Sequence, residues 1–261
     1  MAHLFIFGLG YSAKRVRAAA EARGWTVSGT GGEGEYAFED DDGVRIALDT
    51  ASHVLSSVPP AESGDPVLAR YGDALGRGRL GYLSSTGVYG DTGGAWVDES
   101  APIGGGRRSA RSEADAAWLE RGARVFRLPG IYGPARSALD RVTAGKAHRI
   151  DLPGQVFSRV HVDDIASGVI AGLGAPPGAY NLADDLPASQ NAVIEEACRL
   201  LGIAPPPLQA LEEAGLSPPA RAFYAENRRV ANGKAKRVLG WQPAFSTFRE
   251  GLRAILRPTS P

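Results

Sequence analysis

Gly8-Leu9-Gly10-Tyr11-Ser12-Ala13 stands directly after a compact apolar run, His3 to Phe7. In a nucleotide-binding turn the first glycine permits the tight bend and the second lets main chain approach a pyrophosphate. A small third residue lets the following helix pack on the strand. Gly8, Gly10 and Ala13 supply that series, and Tyr11 and Ser12 open a helix whose N-terminus would face the phosphates. The pattern predicts a dinucleotide seat. About twenty residues past the first glycine an acid would bind the ribose of NAD, and an Arg would suit NADP. The chain has neither there, only Ser28, Gly29, Thr30 and Gly31. Without an acid to repel a 2′-phosphate, and with Ser28 and Thr30 to bond it, NADP is expected ahead of NAD. Lys14 and Arg15 would add positive charge. Ser56 and Ser57, and Pro129 after the run Ala123 to Leu128, complete the expected cofactor contacts.

These residues need a scaffold of alternating elements. A helix is expected over Lys14 to Arg23, ended by Gly24, and a strand over Trp25 to Thr30. Gly31 to Gly34 reads as a turn where a second helix has been deleted, with Tyr36 to Phe38 as a third strand and a short helix from Asp40 through Leu48. Val54 to Val58, Leu80 to Ser85 and Ala123 to Leu128 read as further strands, separated by helices at Asp65 to Leu75 and Arg107 to Arg121. Strands alternating with helices give an α/β fold, a Rossmann-like doubly wound parallel sheet. From Gly130 onward proline-rich turns and separate helices take over (Asp163 to Leu173, Ser189 to Leu201, Thr247 to Leu256). This predicts a dinucleotide-binding domain over 1–130 and a smaller α+β substrate lobe over 131–261, with chain crossings between them.

Composition narrows the partners. Lys and Arg number 29 and Asp and Glu 29, so no basic surplus exists to neutralise nucleic-acid phosphates. The single cysteine, Cys198, excludes an intramolecular disulfide, and four scattered histidines show no metal-ligand spacing. No apolar run approaches the ~18 residues of a membrane span. A soluble cytoplasmic protein, monomer or homodimer, with a small-molecule substrate is expected.

Gly81-Tyr82-Leu83-Ser84-Ser85-Thr86-Gly87-Val88-Tyr89-Gly90-Asp91 adds a more specific signal, followed by Arg127-Leu128-Pro129-Gly130-Ile131-Tyr132-Gly133-Pro134 and Arg159-Val160-His161-Val162-Asp163-Asp164-Ile165-Ala166. Tyr180 to Pro187 and Lys236 to Trp241 extend the series toward the C-terminus. In this order the motifs resemble the extended short-chain dehydrogenase/reductases, the NAD(P)-dependent epimerase/dehydratase family, and most of all its shorter atypical members. The resemblance implies hydride exchange between nicotinamide and a substrate carbon, with a nucleotide sugar as the substrate class. It implies a Tyr general acid/base, a Lys four residues later that lowers its pKa, and a Ser that orients substrate.

Ser85 falls on the hydroxyl position, but the Tyr-x-x-x-Lys pair is absent. Asp115 sets a register in which Arg107 stands for the Tyr and Arg111 for the Lys. Arg111 can hold a ribose, whereas a guanidinium stays charged and cannot relay a proton. Asp65 stands near the place of an Asn common in the family, and Tyr132 is the best spare phenol. His161 is expected to pack at a strand end while Asp163 and Asp164 cap the next helix. Arg136, Arg149 and Arg159 are candidates to pair with a diphosphate. Two functions follow: an atypical NAD(P)-dependent oxidoreductase or isomerase, or an NAD(P)-binding sensor or regulator without turnover.

Overall fold

A computed structural model describes residues 2–76, 78–106 and 109–257. The chain opens with β1 (His3–Phe7), α1 (Tyr11–Glu21), β2 (Thr26–Gly29), α2 (Asp41–Thr50), β3 (His53–Ser56), α3 (Pro66–Tyr71) and β4 (Arg79–Ser85). A 3₁₀ turn at Thr86–Tyr89 leads to β5 (Trp96–Val97), α4 (Ser109–Glu120), β6 (Arg124–Leu128), β7 (Gly130–Tyr132), α5 (Ala138–Thr143), β8 (Arg149–Ile150) and β9 (Arg159–His161). Then follow α6 (Val162–Gly172), β10 (Gly178–Asn181), α7 (Gln190–Leu201), β11 (Leu208–Gln209), α8 (Pro218–Phe223), β12 (Arg229–Val230), α9 (Gly233–Leu239) and α10 (Phe248–Leu256).

Six strands form one parallel sheet in the order β10-β6-β4-β3-β1-β2. Burial on both faces of the sheet explains why Leu4 to Phe7 of β1 are all apolar. Leu4 and Ile6 point to a core shared with Val16 of α1 and Ile165 and Val169 of α6. Phe5 and Phe7 point the other way, into a core with Val44 of α2, Tyr71 of α3 and Trp118 of α4. Both faces are covered, as a parallel sheet requires. Strand order reverses between β1 and β3, so a crevice opens at the C-terminal ends of these strands.

Three readings of local structure need correction. Helix α1 begins at Tyr11 rather than Lys14, because Gly10, extended at φ −85°, is already its N-cap. Tyr36 to Phe38 is not a strand of the sheet; Tyr36 makes one isolated bridge to Thr30. Its apolar side chains pack beneath β1 instead, Tyr36 against Phe5 and Phe38 against Phe7 and Tyr71. With no strand at 36–38, α2, capped by Asp40, is the crossover helix from β2 to β3, so no second helix has been deleted, and β2 is the sheet edge.

The chain crosses the boundary near residue 130 more than once. Strand β10 is the outer neighbour of β6 and helix α6 lies against α1, so residues 162–181 complete the nucleotide-type half. The remaining C-terminal segments build a lobe around Tyr132, Leu139, Ile194, Phe248 and Leu252. Its strands pair two by two: β7 with β9, β8 with β11, and β12 with β5.

Candidate functional site

The loop between β1 and α1 is held on three sides. The Gly8 amide donates to Thr30 Oγ1 at 3.1 Å, the Leu9 amide to the Thr30 carbonyl at 2.8 Å, and Ser57 Oγ to the Gly8 carbonyl. Gly8 sits at φ +81°, where a side chain is strained and a Cβ would meet Val58 Cγ2 at 3.0 Å. Gly10 is different: a Cβ there would meet nothing within 4 Å, because it would project into the open cleft. Gly10 offers no side-chain cap to α1, so the first-turn amides of Tyr11, Ser12 and Ala13 have no helical acceptor. They face the cleft with the positive end of the helix dipole behind them. Ala13 is buried, which seats α1 on the sheet. Tyr11 donates from its phenol to the Pro134 carbonyl at 3.0 Å, and Arg136 lies 5.5 Å over its ring.

A cleft of about 910 Å³ runs from this loop along the strand ends. Gly10, Tyr11, Ser12, Ala13, Ser57, Ser85, Arg111 and Pro129 all line it. The structure thus brings together the phosphate loop and two of the five residues singled out for chemistry. Ser85 ends β4, where its Oγ accepts from the Gly87 amide at 3.1 Å and keeps its own proton for a ligand. Arg111 enters from α4. Arg107 lies outside the described residues.

No family model matches the chain. A Streptomyces protein described as a 3-diazoavenalumate denitrifying reductase is 32% identical over 140 residues, spanning 49% of this chain and 45% of that protein. The chain therefore matches under half the length of this curated relative. A conserved protein of unknown function from Silicibacter pomeroyi DSS is 38% identical, with a TM-score of 0.87 and 98% of each chain covered. Human epimerase family protein SDR39U1, solved with NADPH, is 16% identical, with a TM-score of 0.75, covering 97% of this chain and 98% of that one. The UDP-glucose 4-epimerase of Thermus thermophilus, solved with NAD, is 20% identical, with a TM-score of 0.71 and 96% of each chain covered. The chain has the extended short-chain dehydrogenase/reductase fold.

Within this short-chain dehydrogenase/reductase fold several expected site residues have other work. Ser28 is taken by His3, its Oγ lying 2.8 Å from His3 Nε2. Thr30, fully buried, spends its oxygen on the Gly8 amide. Neither lines the cleft. What lies beside the loop instead is charge of both signs: Lys14 pairs with Glu33, and Arg17 with Glu35 at 2.8 Å. Ser56 is sealed in the sheet at the end of β3 and does not line the cleft.

Asp65 and Tyr132 are also corrected. Asp65 accepts from the Val67 and Leu68 amides, both at 2.9 Å, as the N-cap of α3, and from Trp118 Nε1 at 2.9 Å. Its carboxylate is a structural anchor away from the cleft. Register β7–β9 puts Tyr132 opposite His161, on the ribbon face that looks into the C-terminal lobe. Its hydroxyl is shut against Gly251, where any Cβ would collide with it. Burial, with Asp184 and Asp164 adding, pushes its ionisation far above that of a free phenol, and Tyr132 does not line this cleft.

His161 itself caps α6, its Nδ1 accepting from the Asp163 amide at 3.2 Å. Burial lowers its pKa, opposed by the Asp163 carboxylate, which suits the neutral acceptor role. Asp164 instead accepts from the Ala244 and Phe245 amides.

Beneath the cleft floor lies a buried network that spacing did not reveal. Arg127 forks onto Asp115 at 2.6 and 3.0 Å, with the pair 3% and 0% exposed, and Ser84 donates to the same carboxylate at 2.6 Å. Arg127 also donates to the Tyr89 hydroxyl, which donates to Asn181 Oδ1 at 2.8 Å, and Asn181 Nδ2 reaches the Ala231 carbonyl. Asp115 thus holds β4, α4 and β6 in register under Ser85 and Arg111.

The far wall comes from the C-terminal lobe: Phe157, Ser158, Phe223, Glu226 and Arg228. Arg228 pairs with Glu226 at 2.7 Å and donates to the Gly90 carbonyl at 2.6 Å. No local sequence signal marks these residues; they converge through long-range contacts, the Phe157–Phe223 stack, the Val230 amide on Ser158 Oγ and the β5–β12 pairing. Of the three arginines proposed for a diphosphate, Arg136 lines the cleft, Arg159 lies behind it, and Arg149 faces outward to Glu195 at 2.8 Å.

Proposed function

We propose that the cleft binds a nicotinamide dinucleotide and that the protein is an NAD(P)-dependent oxidoreductase acting on a small molecule. The observation that carries this reading is the loop at residues 8–13. Its three unpaired helix amides face open space that any side chain at position 10 would fill. A dinucleotide in this seat would supply or accept a hydride at the far end of the cleft. There Ser85 donates to the oxygen of the reacting group, and Arg111 and Pro129 hold the nicotinamide end. The Tyr-x-x-x-Lys relay is absent from the sequence and Tyr132 is shut away, so the balancing proton comes from water in the open cleft. The curated relative described as a reductase supports hydride delivery. The nucleotide-sugar expectation rests on fold likeness alone.

Ser28 and Thr30 do not line the cleft, and no acid stands at residues 28–31 to favour NAD, so both coenzymes are tested. Melting curves with NADPH and NADH test both points. Ligand at 100 times its Kd stabilises the folded state by about 2.7 kcal/mol, so a rise with one or both is expected, and silence with both removes the reading. Ser85→Ala should leave that rise intact and lower turnover. Binding without hydride transfer to any acceptor, and a Ser85→Ala variant altered in affinity alone, would mark the protein as a sensor.

A further inference from the structure

Behind the cofactor cleft lies a second cavity of about 670 Å³, and the two share Gly130, Ile131, Arg136, Phe157, Ser158 and Phe223. Part of its wall is apolar: Val193 and Ile194 of α7, Phe248 and Leu252 of α10. Phe157 and Phe223 stand at its border, stacked with ring centroids 4.3 Å apart and planes 12° from parallel.

Arginines outnumber acids on these walls. Arg159 lines the cavity and is 6% exposed, yet its hydrogen bonds all go to neutral acceptors. These are the Phe157 carbonyl at 2.8 Å, the Ala188 carbonyl at 2.9 Å and Gln190 Oε1 at 3.0 Å. Among the described residues no carboxylate comes within ion-pair distance of Arg159, nor of Arg136 and Arg141 on the same walls. Asp140 is the only acid among the described lining residues. Its carboxylate is turned to the Ser137 amide at 2.7 Å and Ser137 Oγ at 2.6 Å to cap α5. Asp184 acts on Arg159 only from beyond ion-pair distance; a guanidinium taken out of water with no carboxylate in contact is costly, and the cost falls when an anion joins it.

We propose that this cavity is the substrate seat and that the substrate is a small aromatic carboxylate. Its carboxylate pairs with the Arg159 and Arg136 guanidiniums, and its ring packs on the Phe157–Phe223 stack. Edge-to-face and offset contacts with such a stack reward a flat ring. Val193, Ile194, Phe248 and Leu252 favour an apolar ring over a sugar's hydroxyls, while Arg136, Arg141 and Arg159 favour an anion. The inference deepens the oxidoreductase reading by naming the substrate class, and the binding it asserts is independent of the coenzyme.

Calorimetric titration of the full chain without coenzyme tests it, with trans-cinnamate, its neutral amide, UDP-glucose and inorganic phosphate as probes. Cinnamate is expected to bind about tenfold or more tightly than the amide, the factor that one charge-assisted hydrogen bond gives. Arg136→Ala, at an exposed position, should keep the melting temperature and weaken cinnamate by a similar factor; Phe223→Ser, also exposed, should weaken acid and amide together. The proposal is overturned if acid and amide bind alike, if millimolar cinnamate gives no heat, if phosphate alone binds as well, or if UDP-glucose displaces cinnamate. A separate titration with NADPH and NADH keeps the two readings apart. Cinnamate without coenzyme binding would sink the oxidoreductase reading and leave the pocket standing, and the reverse would sink the pocket alone.

Discussion

Replacing Gly10 by Ala separates folding from phosphate binding, because the two respond in opposite directions. Gly10 lies at φ −85°, which alanine adopts freely, and its Cβ would meet nothing within 4 Å. Fewer unfolded conformations then favour the variant by about 0.4–1 kcal/mol. For a chain of this size that is a rise of roughly 1–4 °C in Tm. The same methyl group stands where a pyrophosphate must approach the amides of Tyr11, Ser12 and Ala13. Loss of one hydrogen bond to a charged phosphate costs about 1.5–3 kcal/mol. The dissociation constant for the dinucleotide should therefore rise about 10- to 150-fold. Gly8→Ala is the control. At φ +81°, with Val58 Cγ2 only 3.0 Å away, it loses about 1–2 kcal/mol to the left-handed backbone and melts lower. Melting curves without ligand and calorimetry with NADPH or NADH measure both quantities. A Gly10→Ala protein that melts higher and binds coenzyme like the parent would refute the assignment of this loop to phosphate.

Other outcomes follow from the same contacts. Asp115→Ala strips the forked partner from a 3%-exposed Arg127, so urea unfolding should show a loss of about 3–5 kcal/mol; a loss below about 1 kcal/mol would deny the network its role. Thr30→Val keeps shape but orphans the Gly8 amide, and should cost about 1–3 kcal/mol in the same assay while loosening the cofactor loop. Burial raises the Asp184 carboxyl from 3.8 to about 7, so the fold favours its neutral form. That stability is fully present below pH 3.8 and is lost as pH rises through about 7. Asp184→Asn, neutral throughout, should flatten the decline between these limits, and urea midpoints that fall equally in parent and variant would contradict this.

The parts of the site carried by adjacent residues were readable from the sequence. Gly8, Gly10 and Ala13 act within one turn, and the apolar run before them leaves one way to fold. Ser85 was readable because a strand end fixes where its hydroxyl emerges. Tyr132 was not, since strand alternation permits either face and only the pairing with His161 chooses the lobe side. Asp65 was misread for a local reason: Asp before Pro66 is a helix-cap signature, and the cap claims its carboxylate. Tyr36 to Phe38 has the apolar content of a strand, but its rings are drawn beneath Phe5 and Phe7. Arg159 was read as a ligand for phosphate from its neighbourhood in a motif. That its hydrogen-bond partners would be carbonyls and an amide, with Asp184 acting only from beyond ion-pair distance, depended on Ala188 and Gln190 some thirty residues on.

The position of β10 has a further consequence. The last strand of the sheet is made after the chain has already visited the second lobe, and Asn181 at its end ties Tyr89 to Ala231. A piece cut at residue 130 would carry β6 with a bare row of amides and carbonyls along one side, and α1 without the helix that covers it. Each piece would lack a neighbour that it packs against in the whole chain. The molecule is stitched rather than hinged at its middle, and insertion or exchange of halves at that point would unravel both.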